Sequence, residues 1–302
     1  MRVHHLNCVT MCPPGRRLMD GRAGARGPAI LCCHCLLVEL PGRLVLVDTG
    51  FGLEDVHAPR PRLAPLFLRL LCRPRLREED TAVRQLARLG IAPEEITDIV
   101  LTHLDFDHAG GLDDFPQARI HLLEAERQAA VAQATPLDRR RFRPQQWSSM
   151  GRWLSYPVHP GEGERWFGFD AVRELEHLPP EIALVPLAGH TLGHAGVAIH
   201  DGTRWLLHAG DAYFYRGEMD PEHPSCPPGL RAYQWLMEKD RRLRLDNQAR
   251  LRDLARVHGD AVRIFCAHDP LELDALQRAA VRADEEALAR RRPRLTTVPP
   301  PA

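Results

Sequence analysis

The sequence carries no excess of charge of either sign: 40 Lys and Arg residues are balanced by 40 Asp and Glu. A balanced chain offers no electrostatic footprint for a polyanion, so nucleic acid is not an expected partner. Lysine itself is nearly missing, Lys239 being the sole instance, which reads as a compositional bias toward arginine. No apolar run approaches the ~20 residues that a membrane-spanning helix needs, and no apolar segment follows Met1. Neither a membrane nor a secretory route is expected, and the cytoplasm is the default. The eight cysteines, at positions 8, 12, 32, 33, 35, 72, 226 and 266, lack the setting of a small secreted domain and do not read as a disulfide framework. Cys32-Cys33-His34-Cys35 invites a zinc reading, but no second C-x-x-C pair supplies the remaining ligands of a closed tetrahedral site. The run sits inside the apolar stretch 30–40, where cysteine serves as a small buried hydrophobe.

What is present is enough apolar material, 44% of 302 residues, for one large layered domain with a proper core. The stretch that demands an explanation is Thr102-His103-Leu104-Asp105-Phe106-Asp107-His108-Ala109-Gly110-Gly111. Residues 98–101 before it read as a short buried strand, so the loop leaves the end of a sheet. In an extended segment His103, Asp105 and Asp107 face one side, and His108 needs a local turn to join or oppose them. That arrangement suits two adjacent metal ions better than one. Downstream, Gly189-His190-Thr191-Leu192-Gly193-His194, Leu207-His208-Ala209-Gly210-Asp211 and Phe265-Cys266-Ala267-His268-Asp269 each close a strand-like run. Four strand ends that deliver His or Asp look like one site assembled from distant loops.

In order, spacing and strand context these motifs resemble the metallo-β-lactamase-fold hydrolases, whose pattern is H-x-H-x-D-H followed by a separate His, a bridging Asp and a final His. The resemblance covers most of the chain and implies an α/β fold, an αββα sandwich of two mixed sheets flanked by helices. Position by position it implies that His103, Asp105 and His190 hold a first divalent metal ion. It likewise implies that Asp107, His108 and His268 hold a second, with Asp211 bridging the two. Asp48 would steady a metal ligand from behind, and His194 would support its loop. Asp105 departs from the pattern, since most of the family has His there. Formally, Asp105, Asp107, Asp211 and a bridging hydroxide set four negative charges against two divalent cations. Such a neutral cluster is a weak Lewis acid, its water less acidic than the value of about 7 found at strongly activating zinc sites. Zinc is the expected metal, and the harder oxygen ligand also admits manganese or iron. By this reasoning Asp105→His preserves folding and raises zinc occupancy or hydrolytic rate.

Residues 1–289 read as a single domain with a long excursion at about 135–181, and 290–302 as a frayed tail. The aromatics of the excursion, Trp147, Trp153, Tyr156, Trp166 and Phe167, either line a pocket or anchor it to the core. Residues 63–71 read as a short amphipathic helix over the pocket or as an ordinary packed helix. After Asp211, Tyr213 and Tyr215 stand near the place where lactone-cleaving relatives carry a tyrosine that polarises the carbonyl or assists the leaving group. The spacing does not choose between them, and Phe214 occupies the matching offset. Asp107 is the candidate proton shuttle. The implied reaction is hydroxide attack on a lactone or carboxylic ester, nearest the N-acyl-homoserine-lactonase-like branch by the Gly210-Asp211-Ala212 and Ala267-His268-Asp269 motifs. A phosphodiesterase or thioesterase of the same fold, a di-iron redox protein and a non-catalytic metal-binding regulator are the alternatives. The expected substrate is a small molecule, and the arginine-rich and aromatic loops point to a homodimer.

Overall fold

Period-two alternation in the apolar runs builds two sheets that bury one face against each other and the other against helices. The computed structural model describes residues 1–21, 27–148, 150–159 and 161–291. One six-stranded sheet runs β1 (Arg2–Asn7), β2 (His34–Leu40), β3 (Arg43–Val47), β4 (Ile96–Val100), β5 (Arg119–Leu123) and β6 (Trp153–Tyr156). It is antiparallel through β3 and parallel from β3 onward. The second six-stranded sheet contains β7 (Glu164–Trp166), β8 (Phe169–Glu174), β9 (Ile182–Pro186), β10 (Ala195–His200), β11 (Trp205–His208) and β12 (Val262–Phe265). Its strands are antiparallel except for the parallel pair β11 and β12. The helical pieces in chain order are α1 (Arg16–Met19), α2 (Leu53–His57), α3 (Pro59–Arg62), α4 (Ala82–Arg88), α5 (Glu124–Ala132), α6 (Asp138–Arg141), α7 (Pro228–Met237), α8 (Arg241–His258) and α9 (Pro270–Arg291).

Strand β2 illustrates the layering. Leu36 and Val38 join Val45, Val47 and Val100 against Leu184, Val197, Ile199 and Phe265 of the second sheet. Cys35 and Leu37 point the other way, toward Val83 and Leu86 of α4. On the far side, Val185, Ala198 and Leu207 pack on Leu251 and Leu254 of α8. Each fully buried aliphatic side chain contributes about 1.5–3 kcal/mol. Helix α8 starts where the Asp240 carboxylate accepts the Leu243 amide at 2.9 Å, an N-cap that satisfies one of the first-turn donors. The result is the αββα sandwich. Among the described residues no helix is long and apolar enough to cross a membrane.

One expectation needs correction. Residues 135–181 are not an excursion from the core, because they contribute α6 and the strands β6, β7 and β8, which complete both sheets. Two of their strands have only three or four residues, and all three lie toward the sheet edges and lack alternation, so a pattern search finds nothing periodic there. Their aromatics are anchors: Trp147 and Trp153 meet at 5.8 Å, Trp166 and Trp205 at 5.5 Å. The tail expected at 290–302 lies, beyond the last residue of α9, outside the described residues.

A fourth apolar cluster sits across one end of the sandwich. It joins Met19 of α1, Phe67 from the helical turn Phe67–Leu71, Phe106, Phe214, and Leu230 and Met237 of α7. This layer covers the strand ends from which the His and Asp motifs depart.

Candidate metal centre

The loop after β4 does not stay extended. The Asp105 carbonyl accepts the amides of His108 at 2.9 Å and Ala109 at 3.0 Å, and this turn divides the motif. His103 and Asp105 face one side, Asp107 and His108 the other. His190 arrives from the loop after β9, Asp211 from the end of β11 and His268 from the end of β12. Two glycines allow the close approach: a Cβ on Gly193 would stand 2.0 Å from the Glu126 amide nitrogen, and one on Gly210, at φ +53, 2.6 Å from His194 Nε2.

Asp211 is the hinge of the arrangement. Its Oδ2 lies 3.7 Å from His103 Nε2 and 3.3 Å from His190 Nε2. Its Oδ1 lies 3.3 Å from His108 Nε2 and 3.0 Å from His268 Nε2. Asp105 Oδ2 completes the first group at 3.4 Å from His103 Nε2 and 3.1 Å from His190 Nε2. Asp107 Oδ2 completes the second at 4.0 Å from His108 Nε2 and 3.7 Å from His268 Nε2. Ligands bonded at ~2.0–2.2 Å in a tetrahedron are separated by about 3.3–3.6 Å, and these pairs lie on either side of that spacing, from 3.0 to 4.0 Å. His103 Nε2, His108 Nε2 and Asp211 Oδ1 are buried without a hydrogen-bond partner. Orphaned atoms that converge on two points fit a pair of cations.

The charges respond to this crowding. Burial pushes the Asp107 carboxyl up, with Asp211 and Asp105 beside it adding to the effect. Burial would do the same to Asp211, but His268, His108 and His190 hold it well below the usual carboxylate range. Burial lowers His103 to about 4, helped by His108. For His108 burial is outweighed by Asp211, Asp48 and Asp107, which raise it well above the ordinary value.

A set of supports aims the ligands. Asp48, held at φ 54, accepts the Thr102 amide at 2.8 Å on Oδ1. On Oδ2 it receives the Thr102 hydroxyl and His108 Nδ1, both at 2.8 Å. Thr102 Oγ1 in turn lies 3.0 Å from His103 Nδ1, so one carboxylate steadies a histidine in each group. His268 Nδ1 is fixed by the Cys32 carbonyl at 2.7 Å. His194 accepts the Asp211 amide on Nε2 at 2.9 Å and its Nδ1 meets the Leu187 carbonyl at 3.0 Å. Glu126, absent from the sequence reading, binds both ligand loops: its Oε1 accepts the Leu104 amide, its Oε2 the Thr191 hydroxyl and the Gly193 amide. Burial pushes its carboxyl up to about 7.

Arg141 was also missed. It is fully buried, and its Nε and Nη2 donate to the two oxygens of Asp105 at 2.6 and 2.5 Å. The expected neutral cluster therefore needs correction, since this guanidinium returns one positive charge to it. Nothing in the sequence marks Arg141 among its neighbours Arg139, Arg140 and Arg143. Cys33, read as a plain buried hydrophobe, places its thiol within 4.8 Å of ligand atoms of Asp107 and His268.

The two tyrosines part ways. Tyr213 is buried on the far side and donates its hydroxyl to Glu272 at 3.0 Å, so it does not reach the cluster. Tyr215 borders a narrow cleft shared with Met19, Phe214 and His268. The ring between them, Phe214, packs on His268 at 4.7 Å and on His190 at 5.8 Å. An aromatic face without a hydroxyl stands where the spacing argument wanted a tyrosine.

Comparison with known proteins gives a consistent picture. The model of the Metallo-beta-lactamase superfamily matches residues 32–263. A probable metallo-hydrolase of Mycobacterium tuberculosis is 42% identical over 270 residues, 89% of this chain and 81% of that protein. An N-acyl homoserine lactonase of Bacillus cereus is 38% identical over 96 residues, 32% of this chain and 38% of its own length. An N-acyl homoserine lactone hydrolase solved with N-hexanoyl-L-homoserine at its catalytic metal center superposes with a TM-score of 0.67, at 21% identity, over 91% of this chain and 95% of that one. At such identity the structural likeness speaks for the fold alone.

Proposed function

The chain belongs to the metallo-beta-lactamase superfamily, and from that premise we propose that it is a hydrolase using two divalent metal ions to open a lactone or cleave a carboxylic ester. Compounds like N-acyl homoserine lactones are the substrate class to test first. The observation that carries the reading is Asp211, whose two oxygens each serve a separate His and Asp group. The partial match to a Bacillus cereus lactonase supports the choice of substrate class. Zinc is the proposed metal, with manganese or iron next because Asp105 offers oxygen in place of nitrogen.

His103, Asp105, His190 and Asp211 would hold one ion; Asp107, His108, His268 and Asp211 the other. The pair would supply Lewis acidity toward the carbonyl and a hydroxide nucleophile at neutral pH. The chain's own residues do the rest. Asp107, beside His268 in the second group, is placed to take a proton and return it to the leaving oxygen. Phe67, Phe106 and Phe214 form an apolar wall that keeps bulk water off the cluster. Tyr215, on the cleft that reaches His268, is the tyrosine to test for contact with substrate. The eight free thiols favour a reducing, cytoplasmic setting.

The test is a panel of lactones, carboxylic esters, thioesters and phosphodiesters offered to the zinc-loaded protein and to its His103→Ala variant. Lactone or ester turnover that the variant loses is the expected outcome. Turnover confined to phosphodiesters would overturn the substrate class, and no turnover with both ions bound would favour a non-catalytic regulator.

A further inference from the structure

We infer that Asp105 and Arg141 act as one unit in place of a neutral ligand, Arg141 being the positioning residue that makes a carboxylate workable at this point of the cluster. The inference rests on the two-metal reading above and goes beyond it, because nothing in the motif assigns a role to Arg141. Arg141 is the largest fully buried side chain among the described residues. Its fork grips both oxygens of Asp105, and Asp105 is its ion-pair partner. The remaining donors are also spoken for: Nη1 reaches the carbonyls of Met237 at 2.7 Å and His190 at 3.3 Å. Backbone contact reinforces the grip, since Asp105 forms an isolated antiparallel bridge with Phe142, the residue after Arg141.

This geometry fixes what Asp105 presents. With both oxygens held, the carboxylate cannot swing, and Oδ2 stays 3.4 Å from His103 Nε2 and 3.1 Å from His190 Nε2. Bidentate geometry of this kind is specific to arginine. Arg141 Nη2 also lies 2.7 Å from His190 Nε2, so that nitrogen's single lone pair is contested between the guanidinium and a bound ion. The pair as a whole is neutral, as a histidine would be. Each member alone is a liability: a buried guanidinium without its carboxylate is an uncompensated cation beside two more cations.

On this inference Asp105→His alone neither preserves folding nor raises zinc occupancy or hydrolytic rate, contrary to the expectation drawn from the motif. Positions 105 and 141 must change together. The experiment compares wild type, Asp105→His, Arg141→Met, the double variant Asp105→His/Arg141→Met and Arg141→Lys. It reads melting temperature in chelator, zinc per chain after dialysis, and the visible spectrum of the cobalt-substituted forms.

Asp105→His is expected to lower the melting temperature by on the order of 10 °C and to lose one of two ions. The double variant is expected to recover most of both losses, a non-additivity that marks coupled residues. Arg141→Lys keeps the charge without the fork, so it should stay folded while its cobalt spectrum shifts. If Asp105→His melts within about 2 °C of wild type and keeps two ions, or if the double variant is no better than that single one, the pairing is overturned. Should Asp105→His fail to fold, folding of the double variant decides the matter in the same way. Should wild type bind no zinc, the two-metal reading falls, while the melting temperatures in chelator still judge the pair.

Discussion

Asp48 serves both halves of the cluster through one carboxyl group, touching His108 directly and His103 through the Thr102 hydroxyl. Replacing it with alanine should weaken metal retention by about 10–100-fold, measured by competition with a chelator. Thr102→Val breaks the relay to His103 alone, so its loss should be smaller; retention equal to wild type in Asp48→Ala would refute the relay. Glu126 ties the loop at Leu104 to the loop at Thr191 and Gly193. Glu126→Gln turns one acceptor into a donor facing donors, and urea denaturation should show a loss of about 1–3 kcal/mol. An undiminished midpoint would mean the loops hold without it. At this scale the residues that converge on the cluster were legible because the motif packs them into strand ends. Glu126 and Arg141 were not, since a buried Glu in a helix and the 36-residue separation between Arg141 and Asp105 leave no local signature.

Strands β1, β2 and β11 each bring a histidine to the interior between the sheets. His5 Nδ1 and His34 Nε2 meet at 2.9 Å, and His208 Nε2 meets the His34 carbonyl at 2.7 Å. Burial lowers all three, His5 to about 3 with His208 adding to it. Below about pH 6.5 the unfolded chain takes up protons that the folded chain refuses, so stability falls as pH drops from 6.5 toward 3. Each such histidine adds a slope of about 1.4 kcal/mol per pH unit. His5→Asn should flatten the pH dependence of urea stability between pH 6 and 5 by that amount, and an unchanged slope would contradict the neutral assignment. The covering layer is the other feature of this scale. Phe67 lies 4.6 Å from Phe106 of the ligand loop. Phe67→Ala should speed chelator stripping of the metal severalfold, and stripping at the wild-type rate would show that access runs elsewhere. The longer strands were legible from their periodicity. The central strand β10 was not, because Ala195, Gly196 and Ala198 dilute its apolar signal; β6 and β7 are too short to register, and β8 lacks alternation.

For the whole molecule, the sandwich brings the ends of β3, β4, β9, β11 and β12 to one edge, where a single carboxylate, Asp211, faces two histidine pairs. The order of the motifs along the chain made that layering legible, because each sat after an apolar run that had to be a buried strand. What the sequence hid was charge balance, which depends on a guanidinium supplied from α6. The metal count of the purified, folded protein after dialysis against zinc bears most directly on the central claim. It should give two ions per chain for wild type, with His190→Ala and His268→Ala each losing one. Fewer than two ions in wild type, or full occupancy in both variants, would contradict it.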